Sequence, residues 1–117
     1  AYNPDTIRRT YIVPIEYRGL PAHHVMQDQP PTEARVTLSG LDRNFRFLEP
    51  GSLKISIDLA ETNAGTNAIA ITDRQIRLPL NLTLERIDPR IVRVDMTNKQ
   101  AAPPVEKAKP AAVPPIN

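Results

Sequence analysis

The chain has 117 residues, of which 40% are hydrophobic and 24% charged, and its formal net charge is +2 at pH 7. This length predicts one domain, and this apolar content predicts one modest core. Because cysteine is absent, disulfides, thiolate nucleophiles and cysteine-ligated metals are excluded. The sequence holds no signal-peptide pattern and no apolar run near the roughly 20 residues that span a bilayer.

The chain opens with a polar stretch, residues 1–9, which we interpret as a loose N-terminal segment. The next stretch, residues 10–18, alternates in the way that half-buried strands do. Its inward face is formed by Tyr11, Val13, Ile15 and Tyr17. Pro14 lies inside it, and since proline cannot donate to a ladder, we expect an edge strand or a bulge.

A second strand and a helix are predicted next, before Pro50-Gly51. Ala34, Val36 and Leu38 alternate with polar residues and predict the strand. The period then changes, because Leu41, Phe45 and Leu48 share one face of a helix. Ser39 and Asp42 resemble a capping box, so we expect a helix of about two turns that packs on the sheet.

Two further strands are predicted in the middle of the chain. The clearer one places Leu53, Ile55, Ile57 and Leu59 on one face. After a loop at residues 62–67, residues 67–71 predict another strand with Ile69 and Ile71 inward. Thr72 is a suitable cap for a single helical turn that follows.

The stretch from Ile76 to Met96 predicts two strands joined by a tight turn. Residues 80–87 carry Leu80, Leu82 and Leu84 on one face, and residues 91–96 alternate in the same way. Asp88-Pro89 is a turn signal, so the pair is predicted to be a hairpin. The alternation slips by one residue at Ile87, which indicates a bulge or the end of pairing there.

The composition changes after Thr97. Residues 98–117 are rich in proline and alanine and offer little to bury, so we expect a disordered tail that serves as a linker. The folded part is then residues 10–97. About six short strands and one short helix predict an all-β domain.

No pattern in the chain predicts a metal or cofactor site. His23 and His24 are adjacent, and on an extended segment their side chains would point to opposite faces. Zinc commonly takes four ligands, whereas the chain has two histidines and no cysteine. We therefore interpret both as surface histidines.

Catalytic residues are not predicted either. The carboxylates that alternate with apolar residues are typical of solvent-facing strand positions: Asp58, Asp73, Glu85, Asp88 and Asp95. Ser39-Gly40 lacks the surroundings of a nucleophile elbow, and there is no glycine-rich phosphate loop. Asn81-Leu82-Thr83 matches the glycosylation acceptor pattern but falls inside a predicted strand.

Eleven arginines are spread along the chain, and five of them lie around the predicted C-terminal hairpin. They could form a basic patch or simply pair with Glu85 and Asp95, and they are Arg74, Arg77, Arg86, Arg90 and Arg93. An RNA-binding β domain is therefore one alternative function, although nucleic-acid binders more often concentrate their charge and interleave aromatic residues.

Five segments, in order, resemble the YbbR-like domain family of bacteria. They are Val13-Pro-Ile-Glu-Tyr-Arg-Gly-Leu-Pro21, Ala34-Arg-Val-Thr-Leu-Ser-Gly40, Leu53-Lys-Ile-Ser-Ile-Asp-Leu59, Ile76-Arg-Leu-Pro79 and Ile87-Asp-Pro-Arg-Ile-Val-Arg-Val94. The resemblance covers about residues 10–97. Gly19 departs from the pattern, since a polar residue often precedes Leu-Pro in the family.

The resemblance implies an all-β fold, a small twisted sheet of crossed hairpins with one short helix. It also implies a non-catalytic domain that is tethered on the extracytoplasmic face of the cell membrane by an N-terminal helix outside this sequence. The best-known members bind and regulate a membrane diadenylate cyclase, which makes cyclic di-AMP, so such a cyclase is the expected protein partner.

The sequence thus predicts an extracytoplasmic interaction domain with no catalytic, cofactor-binding or metal-binding residues, and with no nucleic acid as partner. Arg8-Arg9 would favour a cytoplasmic side if a membrane helix ended just before Ala1. A generic envelope scaffold or adhesion-like β domain is the main alternative, the RNA-binding domain is the next, and an enzyme comes last.

Overall fold

A computed structural model describes residues 5–99 of the chain. In these residues seven strands alternate with short connections: β1 Thr6–Arg18, β2 His24–Met26, β3 Glu33–Leu41, β4 Ile55–Asp58, β5 Gly65–Ala70, β6 Thr83–Asp88 and β7 Ile91–Asn98. One helix, α1, spans Asp42–Phe45, and a 3₁₀ turn spans Pro50–Ser52. The all-β fold class with one short helix is confirmed. Apart from residues 98 and 99, the predicted tail lies outside the described residues.

The strands form two sheets. One has four strands in the order β4-β1-β3-β6, and the other has three in the order β2-β7-β5. All neighbours are antiparallel except β1 and β4, which run parallel. Among the described strands, none pairs with the strand that precedes or follows it in the sequence.

The predicted C-terminal hairpin is therefore wrong. β6 pairs with β3, whereas β7 pairs with β2 and β5. The turn at Asp88-Pro89, whose peptide bond is cis, carries the chain from one sheet to the other. Alternation tells which side of a strand is buried but not which strand lies beside it, and this is why the sequence suggested a hairpin.

Both sheets contribute to a single core. The first sheet supplies Val13, Val36, Leu38 and Ile87 among others, and the second supplies Val92, Val94 and Met96. The strand predicted at residues 53–59 buries all four of its expected residues: Leu53, Ile55, Ile57 and Leu59. The inward faces of the strands were thus predicted well.

The bulge expected in the C-terminal region is present in β6. Thr37 and Leu38 of β3 face Arg86 and Leu84, which leaves Glu85 as the extra residue. This insertion explains the slip in alternation, because Leu84 is partly buried and the next buried residue is Ile87.

The start of β6 corrects a second prediction. Leu80 does not share the buried face, since it is 88% exposed, and Asn81 has a φ of 71°. Asn81 therefore lies in a turn before the strand, and of the glycosylation pattern only Thr83 belongs to β6. A turn forms here because Pro79 and Asn81 favour turns, and this preference is stronger than the apolar alternation that predicted a strand.

The helix is shorter than predicted and is capped differently. α1 is a single turn, and the amide of Leu41 donates to Asn44 Oδ1 at 3.3 Å, while Ser39 belongs to β3. Phe45 and Leu48 are nevertheless buried as expected. A helix of four residues cannot persist alone, so packing on the sheet determines its length.

Other boundaries move by a few residues. β1 begins at Thr6, so residues 6–9 are not a loose segment, because their pairing with β3 continues to Leu41. β5 begins at Gly65, inside the predicted loop. The turn capped by Thr72 is present, with the Arg74 amide donating to Thr72 Oγ1 at 3.2 Å. None of the helices in residues 5–99 is long and apolar enough to cross a membrane.

Candidate interaction surface

β1 changes partners at Pro14. On one side, Thr6–Pro14 pair with β3; on the other, Ile15–Arg18 pair with β4. Because β3 and β4 lie on opposite sides of β1, the edge beside residues 6–13 that faces away from β3 has no partner strand among the described elements. We call this stretch the free edge of β1.

The hydrogen-bond pattern shows which residues present their backbone at the free edge. The Ile15 amide donates to the Thr32 carbonyl at 2.8 Å, on the β3 side. Since bonded positions alternate along an antiparallel ladder, the backbone groups of Arg8, Thr10 and Ile12 point the other way. Three amides and three carbonyls are thus available to an extended segment.

Pro14 has the same parity as Thr10 and Ile12. Its missing N–H falls on the side away from β3, so the ladder with β3 loses nothing. The expected edge strand is wrong, since β1 lies between β4 and β3, but Pro14 sits at the end of the stretch that lacks a partner on the β4 side. It also limits the length of any strand that could add there.

The side chains beside the free edge are polar on the solvent face. Arg8 forms an ion pair with Glu85, and the hydroxyls of Thr10 and Thr37 lie 2.9 Å apart. Ile12 is 55% exposed. Exposed ion pairs contribute little to stability, so the pair between Arg8 and Glu85 adds little to the stability of this sheet.

On the opposite face, Tyr17 anchors the far end of β1. Its hydroxyl donates to the Pro31 carbonyl at 2.7 Å. Partial burial raises the pKa of Tyr17 above its usual value. The phenol thus stays neutral and keeps its hydrogen bond at physiological pH, which fixes the segment just before β3.

The two histidines differ from their predicted placement. His24 is only 6% exposed, and its ring centroid lies 4.2 Å from that of His23. They therefore do not lie apart on opposite faces, because His23 precedes β2 and is not extended with it. Within residues 5–99, no group of three or more His, Cys, Asp or Glu residues could hold a metal ion.

The predicted basic patch is divided by the fold. Arg86 and Arg90 line a hollow beside β6, Arg93 is on β7 in the other sheet, and Arg74 and Arg77 line a separate groove. The predicted solvent-facing carboxylates are exposed except for Asp95, which is half-buried.

Several solved structures superpose on this chain. A YbbR-like protein from Streptococcus pneumoniae TIGR4 superposes with a TM-score of 0.66 and 22% identity, over 84% of this chain and 50% of that chain. A YbbR-like domain from Listeria monocytogenes superposes with a TM-score of 0.65 and 18% identity, over 80% of this chain and 95% of that chain. The fold is that of a YbbR-like domain.

A YbbR family protein from Desulfitobacterium hafniense DCB-2 gives a TM-score of 0.61 and 18% identity, over 77% of this chain and 96% of that chain. No protein-family model and no curated protein matches the sequence. The resemblance predicted from five short segments is therefore confirmed at the level of the YbbR-like fold.

The sequence analysis indicated the unpaired stretch of β1 but not its extent. Pro14 was the signal for an edge, and the polar residues 6–9 concealed that the strand starts earlier. The groove that contains Arg74 and Arg77 was missed, because its other members come from distant parts of the chain.

Proposed function

We propose that this YbbR-like domain is a non-catalytic interaction module that regulates a membrane diadenylate cyclase on the extracytoplasmic face of the cell membrane. The observation that carries the proposal is the free edge of β1. The cyclase is the partner implied by the five segments that resemble YbbR-like proteins.

The free edge offers a way to bind an extended segment. Backbone groups of Arg8, Thr10 and Ile12 would pair with the added strand, and exposed Ile12 would supply an apolar contact. The added strand would lie end to end with β4, on the same side of β1. If a tether holds domain and cyclase in one membrane, the raised effective concentration lets a weak interface suffice.

Regulation requires more than contact. A bound domain changes cyclase activity only if it has different affinities for the active and inactive states. The domain would supply this difference in affinity without catalysing a reaction. The free edge of β1 would pair with a cyclase segment that is extended in only one of the two states.

The decisive variant is Thr10→Pro in the full-length, membrane-tethered protein. It removes the central N–H donor of the free edge, and the ladder with β3 keeps its bonds because position 10 has the parity of Pro14. The matched control is Thr10→Val, which keeps the amide and removes only the hydroxyl that contacts Thr37.

Cyclic di-AMP is measured in cells that express the cyclase alone, or with the wild-type protein, Thr10→Pro or Thr10→Val. We expect wild type and Thr10→Val to shift the level alike, and Thr10→Pro to return it to that of the cyclase alone. Circular dichroism checks that each variant is folded, and membrane fractionation checks that it is located in the membrane. If the wild-type protein leaves the level unchanged, the regulatory function is wrong and an envelope scaffold takes its place.

A further inference from the structure

A basic groove lies on the outer face of the β1–β4 pair, away from the free edge of β1. It has a volume of about 580 Å³ and is lined by Arg18, Ser52, Lys54, Ser56, Arg74, Gln75, Ile76 and Arg77. That volume falls within the roughly 300–1,000 Å³ of small-molecule sites. Four of the eight lining residues are cationic, and none is acidic.

The fold brings these cations together from three places. Arg18 ends β1, Lys54 precedes β4, and Arg74 and Arg77 flank the segment that bridges to β4. This bridge pairs Ile55 with Ile76, and the Ser56 amide donates to the Gln75 carbonyl at 2.8 Å.

Alternation then sets the direction of the side chains. Ile55, Ile57 and Ile76 are buried, with at most 3% exposure, so their neighbours Lys54, Ser56 and Arg77 point outward. The groove is therefore a consequence of the strand register, and its shape does not depend on flexible side chains alone.

The positive charge of the groove is only partly neutralised. Glu16 Oε1 contacts Arg18 at 2.9 Å and Lys54 at 3.7 Å. One carboxylate oxygen satisfies few of the eight N–H donors that a guanidinium and an ammonium group carry together. In residues 5–99, neither Arg74 nor Arg77 makes an ion pair.

We propose that this groove binds a phosphate group, carried either by a small soluble molecule or by a lipid headgroup. Guanidinium groups bind phosphate oxygens through paired, charge-assisted hydrogen bonds, and Ser56 adds a hydroxyl donor to the lining, whereas the Ser52 hydroxyl already donates to the Glu49 carbonyl at 2.7 Å. The lining is too polar for an apolar ligand, and a phosphate is the common anion whose geometry matches two arginine forks and a lysine.

The test uses the chain with inorganic pyrophosphate as the soluble probe. Amide shifts of residues 52–56 and 74–77 are followed by NMR at constant ionic strength, since screening alone changes weak ionic contacts. We expect saturable shifts with a Kd on the order of millimolar, confined to the groove.

Two double variants, each of which removes two positive charges, distinguish a specific binding site from general electrostatic attraction. Arg74→Gln/Arg77→Gln should weaken pyrophosphate binding by at least about tenfold, because charged hydrogen bonds are lost. Arg86→Gln/Arg90→Gln lies in the other hollow and should leave binding unchanged. Equal losses in both variants, or shifts spread over the whole surface, would overturn the proposal.

Vesicles distinguish the two sources of phosphate. Co-sedimentation with phosphatidylglycerol vesicles but not with phosphatidylcholine vesicles, lost in the Arg74/Arg77 variant only, identifies a lipid headgroup. Pyrophosphate binding without vesicle binding identifies a soluble ligand. If neither probe binds, or if an acidic peptide competes better than pyrophosphate, the groove is not a phosphate site.

Discussion

Gly40 lies where β3 passes against the turn that precedes β6. A Cβ at this position would come within 2.7 Å of Leu82 Cδ2 and 2.8 Å of the Asn81 carbonyl oxygen. The second contact is with backbone, and Asn81 is already in the left-handed region with a φ of 71°. The turn therefore has little freedom to move away.

We expect Gly40→Ala to destabilise the domain by about 1–3 kcal/mol, because overpacking forces backbone shifts. Gly51→Ala is the control, since nothing lies within 4 Å of a Cβ there. Urea denaturation measures both. Equal stability of the two variants would mean that β3 and the turn are less closely packed than the structure shows.

The carboxyl groups of Asp28, which follows β2, and Asp95, which lies on the middle strand β7, interact through a side-chain hydrogen bond. This bond, together with the negative charge of Asp95, raises the pKa of Asp28. The pKa of Asp95 is lowered, first by the Thr66 hydroxyl, which donates to it at 2.7 Å, and then by Asp28. Asp95 is thus the carboxylate that ionises first.

These directions predict a pH dependence. A raised pKa means that Asp28 favours the folded state below the ordinary pKa of aspartate and opposes it once pH rises through the folded value. Asp28→Asn should therefore raise the melting temperature near about pH 7, where both carboxylates are charged, and the gain should vanish towards about pH 3. Glu61→Gln is the control, because Glu61 is exposed and has no such carboxyl neighbour among residues 5–99. A gain that persists at low pH would contradict the shared hydrogen bond.

At the scale of elements, β4 is the end strand of the first sheet and connects it to the segment around Ile76. It pairs in parallel with β1 on one side and bridges to Ile76 on the other. Ile55 and Ile57 are fully buried, whereas Lys54 is exposed. Its contribution to stability thus comes from one face.

Ile57→Ala should cost roughly 2–5 kcal/mol, because the site is closed and cannot collapse around the smaller side chain. Lys54→Ala on the outer face should change stability by less than about 0.5 kcal/mol. Unfolding curves in urea with equal slopes compare the two. Similar losses from both substitutions would show that the assigned register of β4 is wrong.

Over the whole molecule, the sequence predicted which residues are buried better than which strands are neighbours. Period-two alternation reports the two faces of a strand, so the inward residues of β3, β4 and β7 were found. Pairing depends on contacts between distant segments, such as Val36 with Ile87 or Val25 with Thr97. No local pattern encodes these, and the hairpin prediction failed for that reason.

The two candidate sites differ in the same way, because one has a local signal in the sequence and the other does not. Pro14 is a local signal, and it marked the strand that carries the free edge. The basic groove is non-local, because Arg18 and Arg77 meet only through the bridge between β4 and Ile76. The sequence analysis instead grouped arginines whose residue numbers are close, and the fold places them on separate surfaces.

The place of β7 in the second sheet has a consequence for how the protein is made. β7 is the last described strand in the chain and also the middle strand of its sheet. While the ribosome is still adding residues, β2 and β5 therefore lack the strand on which they both depend. The apolar face of the first sheet also stays uncovered until Val92, Val94 and Met96 have been added. A chain built in this order leaves both the second sheet and the shared core incomplete until β7 has been synthesised.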